Sequence, residues 1–204
     1  MAGTAMLMLA LSTAFADVAH ARSGETLADD TREPSAGDGA TYDLEAAVAG
    51  TLRAVPGSVK TGENTILLEP GVMVALPSEG DVSASSLGSC TRGWLCAWPD
   101  SDYRGPMLAV RDGVYIDYRA WWWDTSTGEI LDCRGGCTGV DWYWDKYMRN
   151  FAYKITSVFN NTHTITWAPF WSPRNYTNYN ALNGAPSPYV GSKWNDDFSA
   201  ACAC

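Results

Sequence analysis

CAWPDSDYRG, residues 96–105, is the stretch on which the fold turns. Two rings, Trp98 and Tyr103, are separated by four residues, and Gly105 follows one residue later. A β-hairpin folded over at its corner brings rings with this spacing into contact. The glycine then supplies a positive φ that other residues resist. Just upstream, Gly93-Trp94-Leu95-Cys96 reads as the strand entering that corner. Far downstream, KITSVFNNT (154–162) reads as another strand that ends on an Asn pair. Between and beyond them, Pro106 to Val110, Tyr153 to Phe159 and Thr164 to Trp167 are short aromatic or β-branched runs. Gly, Pro, Asn and Asp punctuate them. The pattern predicts an all-β sandwich with large rings filling a small core.

Upstream, the composition changes sharply at Ser89. All ten Trp and nine of the ten Tyr lie beyond it, as do the six cysteines. Of the formal charge of −9, the part from Ser89 onward carries only −1. No basic footprint for nucleic acid exists, since a nucleic-acid groove needs clustered Lys and Arg. Residues 22–40 are polar and free of aromatics and read as a disordered linker. Asp43 to Ala54 has good helix formers behind an acidic start and stops at Pro56-Gly57, which predicts a short helix. Thr65 to Leu68 and Val72 to Leu76 flank Pro70-Gly71 and predict a hairpin. Pro77 to Ser89 is Ser- and Gly-rich and reads as a second linker. The expected organisation is a signal peptide over 1–21, an extension over 22–88 and a folded domain over 89–204. The extension is expected to be dispensable for the fold.

The first residues bear on the compartment. An apolar run from Ala5 to Phe15 precedes Ala19-His20-Ala21, the small-x-small pattern of a signal-peptidase site, although no Lys or Arg precedes the run. The run is too short to span a bilayer as a permanent helix. Export to a secreted, extracellular location is the expectation, without stable membrane insertion. Cys90, Cys96, Cys133, Cys137, Cys202 and Cys204 are even in number, as a disulfide framework requires. Their spacings do not repeat a zinc knuckle. Fifteen pairings are open on sequence grounds. Cys90 with Cys96 and Cys133 with Cys137 are expected, because each pair brackets a Gly-containing turn. That leaves Cys202 and Cys204, where a bond across one residue is the least expected of the three.

The opening C…GxxCxW, the W-x4-Y-x-G hairpin and the strand Ser157-Val158-Phe159-Asn160-Asn161-Thr162 together resemble the secreted actinobacterial proteins of peptidase inhibitor family I36. Leu52 to Ile66 and Val72 to Pro77 resemble the segment ahead of that domain in such proteins. The resemblance implies a βγ-crystallin-like Greek-key sandwich built from two motifs. Between Val110 and Phe151 this chain carries a long inserted loop, and Trp167 to Pro173 is a second corner motif without its glycine. The resemblance also implies calcium sites of the form Asn/Asp-Asn/Asp-x-x-Ser/Thr-Ser. The first copy, Ala152 to Ser157, keeps Thr156 but has lost both acids. The second keeps Asn195, Asp196, Asp197 and Ser199 but ends on Ala200. Few charged ligands imply weak calcium binding, with Asn195 and Asp196 capping a turn as the simpler use. No cofactor is required.

Two disulfide-closed loops could present a basic residue to a protease: Arg92, Gly93 and Trp94 in the first, Arg134 and Gly135 in the second. Closure removes flexible states before binding. A different reading makes the protein a carbohydrate or cell-wall binding module, with a cell-wall glycan as partner. Alternate strand residues share a face, so Trp121 with Trp123, or Trp142 with Trp144, would form an aromatic surface. Enzyme motifs such as G-x-S-x-G, H-E-x-x-H and the P-loop are absent. His163 reads as a solvated turn residue. The sequence therefore predicts a monomeric binding protein, not an enzyme, with an extracellular protease as its first-choice partner.

Overall fold

Helix α1 (Leu44–Ala54) begins where the Asp43 carboxylate accepts the Ala46 N–H at 3.0 Å. That cap satisfies an orphan donor of the first turn, and Glu45 suits the positive end of the helix. Leu44, Ala47, Val48 and Thr51 recur at helical spacing and are buried. The Thr51 hydroxyl accepts the Ile130 N–H at 2.9 Å, tying the helix to a distant strand. Gly57, with φ of 89°, turns the chain after the helix stops. The structure is a computed structural model describing residues 42–78, 87–135, 147–163, 165, 167–172 and 177–204. The expected signal peptide at 1–21 lies outside the described residues, as does the linker at 22–40.

The remaining regular elements are strands, with a few short 3-10 turns. The first group is β1 (Val59–Lys60), β2 (Thr65–Glu69), β3 (Val72–Ala75), β4 (Trp94–Trp98) and β5 (Met107–Arg111). Then come β6 (Tyr115–Asp117), β7 (Trp121–Asp124), β8 (Ile130–Asp132) and β9 (Met148–Asn150). The chain ends through β10 (Ser157–Asn161), β11 (Trp167–Ser172), β12 (Thr177–Leu182), β13 (Pro186–Ser187) and β14 (Ala200–Cys202). A seven-stranded sheet has the order β1-β2-β3-β5-β4-β10-β13, a second has β12-β11-β14-β6, and a third has β8-β7-β9. The pairings within them are antiparallel. The expected all-β fold is what forms, with α1 as its one helix among the described residues.

The corner motif works as its spacing predicts. Trp98 and Tyr103 meet edge to face with centroids 5.1 Å apart, and both are buried. Gly105 has φ of 81°, and a Cβ there would come within 2.7 Å of the Pro99 ring. Ser157, from the strand that resembles the family, fastens the corner. Its hydroxyl donates to the Asp100 carbonyl at 2.7 Å and accepts the Tyr103 N–H at 3.2 Å.

Two expectations need correction. The compositional boundary at Ser89 is not a break in the sheet: β3 pairs with β5 from Val72↔Val110 to Ala75↔Met107. All described residues fall in one compact unit spanning 39–204. The insertion between Val110 and Phe151 is not simply a loop, because Trp122 pairs with Leu131 on one side and Asn150 on the other to make the third sheet. Consecutive aromatics favour an extended, half-buried strand, which explains why this run orders. As the missing glycine implies, Trp167 to Ser172 forms no second corner; it is strand β11, paired along its length with β12.

The seven-stranded sheet is buried on both faces. Val72, Val74, Leu95, Ala97, Leu108 and Val110 join the main core with α1 and residues of the other two sheets. The alternate residues Met73, Ala75, Cys96, Trp98, Met107 and Ala109 form a smaller core on the opposite side.

Candidate functional site

Of the sequence-predicted elements, the turn closed by Cys90 and Cys96 is the one held from several directions while keeping a side chain in solvent. Cys96 lies in β4 and is fully buried; its disulfide to Cys90 spans 6.1 Å between Cα atoms. The Thr91 N–H donates to the Ser89 carbonyl at 3.0 Å, and the Cys90 N–H to Leu87 at 3.1 Å. On the far side, the Gly93 N–H donates to Asn161 at 2.7 Å, and the Asn161 amide returns to the Cys90 carbonyl at 2.8 Å. The Asp112 N–H caps the Gly93 carbonyl at 3.1 Å. Thr91 and Arg92 sit at the exposed tip, and Trp94 is half-buried at its base. Arg92 has no hydrogen-bond or ion-pair partner among the described residues, so its guanidinium is free to meet another molecule.

Sequence reading missed the brace behind this turn. His163 Nδ1 lies 3.1 Å from Asp112 Oδ2, and the His163 backbone N–H donates to the same oxygen at 2.9 Å. The imidazole packs over Gly93, where a Cβ would lie 2.8 Å from Cε1. His163 is exposed, as expected, yet it is partnered. The two residues stand 51 apart, and they meet because β4 lies between β5 and β10 in the sheet. No local sequence signal announces such a pair. At Gly93, φ of 95° and the ring above both exclude a side chain. Gly93→Ala is expected to lose about 2 kcal/mol or more, from backbone strain plus overpacking. A urea melt of that variant, against a smaller change for an alanine at open, exposed Gly135, checks this.

The second predicted loop is built differently. Arg134 donates through Nε to Asp132 at 3.0 Å and through Nη1 to Glu69 at 2.5 Å. Its guanidinium lies 5.2 Å from the centre of the Trp121 ring. Unlike Arg92, it is therefore a tethered cation and not a free basic probe. The side-chain hydrogen bonds from Arg134 hold the Asp132 carboxyl below its ordinary value. A depressed folded value contributes stability above the unfolded value that is lost as pH falls through the folded one. Asp132→Asn should flatten the acid limb of a stability–pH curve, by a modest amount because the pair is partly exposed. Cys133 is disulfide-bonded. Its expected partner, Cys137, lies outside the described residues. Cys202 is bonded to Cys204, the pairing least expected from sequence.

Trp121 and Trp123 share a face of β7, as alternation predicts, but that face is turned inward. Trp121 is 1% exposed, and Trp123 packs half-buried on Phe151 with centroids 6.5 Å apart. This pair is core and not a binding surface. Trp142 and Trp144 lie outside the described residues.

The calcium candidates do come together, since the Asp196 N–H donates to the Ile155 carbonyl at 3.4 Å beside Thr156. The hydroxyl groups among them already have protein partners. The buried Asp197 carboxylate accepts the Ser172 hydroxyl, the Ser199 hydroxyl donates to the Trp171 carbonyl at 3.3 Å, and the Thr156 hydroxyl to Lys154 at 3.2 Å. Asn195 Oδ1 is buried without a hydrogen-bond partner, but an amide oxygen adds no charge. Among the described residues no three His, Cys, Asp or Glu side chains converge. Millimolar calcium is expected to stabilise the protein by no more than about 1–1.5 kcal/mol, as for a site of roughly millimolar affinity. A large shift in Tm at micromolar calcium would contradict this.

Residues 83–183 match the model of peptidase inhibitor family I36. This part of the chain belongs to that family. The I36 region contains the corner motif, the Cys90–Cys96 turn and the Asp112–His163 brace, and it ends just after β12. Strand β3, which completes the sheet beside the I36 region, and the closing strand β14 lie outside it. No curated protein and no solved structure matches the chain significantly. No helix among the described residues is long and apolar enough to cross a membrane.

Proposed function

We propose that this chain is an exported peptidase inhibitor that engages an extracellular endopeptidase through the turn Thr91-Arg92-Gly93. One observation carries the reading: Arg92 is exposed and unpaired on a turn held by a disulfide, the end of strand β10 and the Asp112–His163 pair. A protease binds an extended loop in its cleft, and a loop already fixed in one conformation loses little entropy on binding. The same fixation keeps the loop ends together after a cut, so the cleaved chain does not leave. An unpaired cation at the tip selects an enzyme whose pocket accepts a basic side chain.

Export fits the Ala5–Phe15 run with its Ala19-His20-Ala21 site, and the disulfides persist in an oxidising compartment. The protein acts as a monomer, needs no cofactor and performs no chemistry of its own. The test is titration of the purified mature chain against secreted endopeptidases of basic and of apolar specificity. Stoichiometric inhibition of a basic-specificity enzyme, with slow cleavage mapping to the Arg92–Gly93 bond, supports the proposal. Cleavage elsewhere without inhibition, or inhibition confined to enzymes of apolar specificity, overturns it.

A further inference from the structure

The outer face of the four-stranded sheet carries an aromatic pair that the inhibitor reading does not use. Its inner face supplies Ile116, Ala168, Phe170 and Ala201 to the core. Side chains alternate, so Tyr115, Trp171 and Asn180 stand on the other side. Central strand β14 places Ala200 and the disulfide-bonded Cys202 there, both buried, and the registers Trp171↔Ala200↔Asp117 and Cys202↔Tyr115 place rings on either flank. Tyr115, 55% exposed, and half-buried Trp171 lean together over this strand with centroids 5.8 Å apart and planes inclined by 51°.

The polar groups at the rim indicate what would bind. Arg119 donates through Nε to Asp117 Oδ1 at 2.9 Å and through Nη2 to Oδ2 at 2.7 Å. Tyr115 and Tyr153 both lie within electrostatic reach of Arg119, and Tyr153 is exposed. The exposed Asn180 amide lies on the same face, opposite Pro169. The Asp117 and Arg119 charges at this rim offset each other, so among the described residues this pair offers no excess charge to attract an anionic polymer or a charged peptide. What remains is aromatic surface beside fixed donors and acceptors. That complements a pyranose ring, which presents C–H groups on its faces and hydroxyls at its edge.

We propose that this face binds an uncharged polysaccharide, with Tyr115 and Trp171 as the stacking rings and Asp117, Arg119 and Asn180 as hydroxyl partners. It takes the place that Trp121 and Trp123 cannot fill, and it does not depend on the inhibitor reading. The test is depletion of the full mature chain from solution by chitin and by cellulose, with polygalacturonate and a heparin resin as charged controls. Binding to a neutral polymer that survives high salt is expected. Trp171→Ala and Tyr115→Ala should each weaken it about tenfold, as loss of one stacked ring does. Near-UV circular dichroism and Tm show whether each variant is folded, and Tyr115→Phe, which keeps the ring, should retain most binding. Arg92→Ala should leave it unchanged, which separates this face from the protease turn. Adsorption to the charged controls alone, no binding to either neutral polymer, unchanged binding by a folded Trp171→Ala chain, or a face covered only by a protein partner overturns the proposal.

Discussion

A chain beginning at Ser89 is expected not to fold, although composition alone places the domain start there. The hairpin β2–β3 supplies Ile66, Leu68, Val72 and Val74, followed by Leu76, each no more than 2% exposed. Burying one such side chain is worth about 1.5–3 kcal/mol, so the five together rival the ~5–15 kcal/mol net stability of a whole domain. Removal also strips the hydrogen-bonding partner from β5 along its length. An unpaired edge of Met107-Leu108-Ala109-Val110 is flat and apolar, a template for aggregation. The helix adds a second loss, because without Thr51 the Ile130 N–H has no internal acceptor. Expression of residues 89–204 beside 42–204 tests this. The longer chain should give a cooperative urea transition and near-UV aromatic signal, and the shorter one neither. A cooperative melt of the short chain near that of the long one would show that the hairpin decorates the core instead of building it.

The same hairpin shows how far sequence reading reaches. Its strands, its turn and the helix before it were all legible, because capping residues, Pro-Gly and apolar runs are local signals. So was the Trp98–Tyr103 corner, where ring spacing and a glycine encode one geometry. What composition could not reveal is that β3 docks on β5, since sheet pairing between distant segments leaves no local trace. The ten-Trp contrast at Ser89 suggested a border because aromatics cluster in one half, yet aliphatic Val72 and Val74 fill the same core. The tryptophans misled for a related reason. Alternation correctly placed Trp121 and Trp123 on one face, but period 2 does not say which face meets water. Tyr115 and Trp171, which do meet on an outer sheet face, come from strands that sequence order keeps far apart. Likewise, Arg92 and Arg134 look equivalent as basic residues in short Cys-closed loops. Only the positions of Glu69, Asp132 and Trp121 distinguish the tethered arginine from the free one.

That distinction leads to a sharp expectation for inhibition. Arg92→Ala should raise the inhibition constant for the target endopeptidase by at least about thirtyfold. A buried arginine anchor at the centre of an interface commonly costs 2 kcal/mol or more when truncated, and each 1.4 kcal/mol is a factor of ten. Because Arg92 has no partner among the described residues, the same variant should melt within about 0.5 kcal/mol of the parent, the range for surface positions. Arg134→Ala should give the opposite pattern. Its loss leaves Asp132 and Glu69 without their cation and uncovers Trp121, lowering stability while inhibition by the folded fraction stays intact. Arg92→Lys should recover part of the binding if the enzyme reads charge, and little if it grips the planar guanidinium through paired hydrogen bonds. Breaking the brace with Asp112→Asn should weaken inhibition less than removing Arg92 itself, since the disulfide and the Gly93–Asn161 hydrogen bond still shape the turn. Inhibition constants and urea melts measured in parallel on the four variants separate contact from scaffold. Undiminished inhibition by Arg92→Ala would remove this turn from the interface and with it the basis of the proposed specificity.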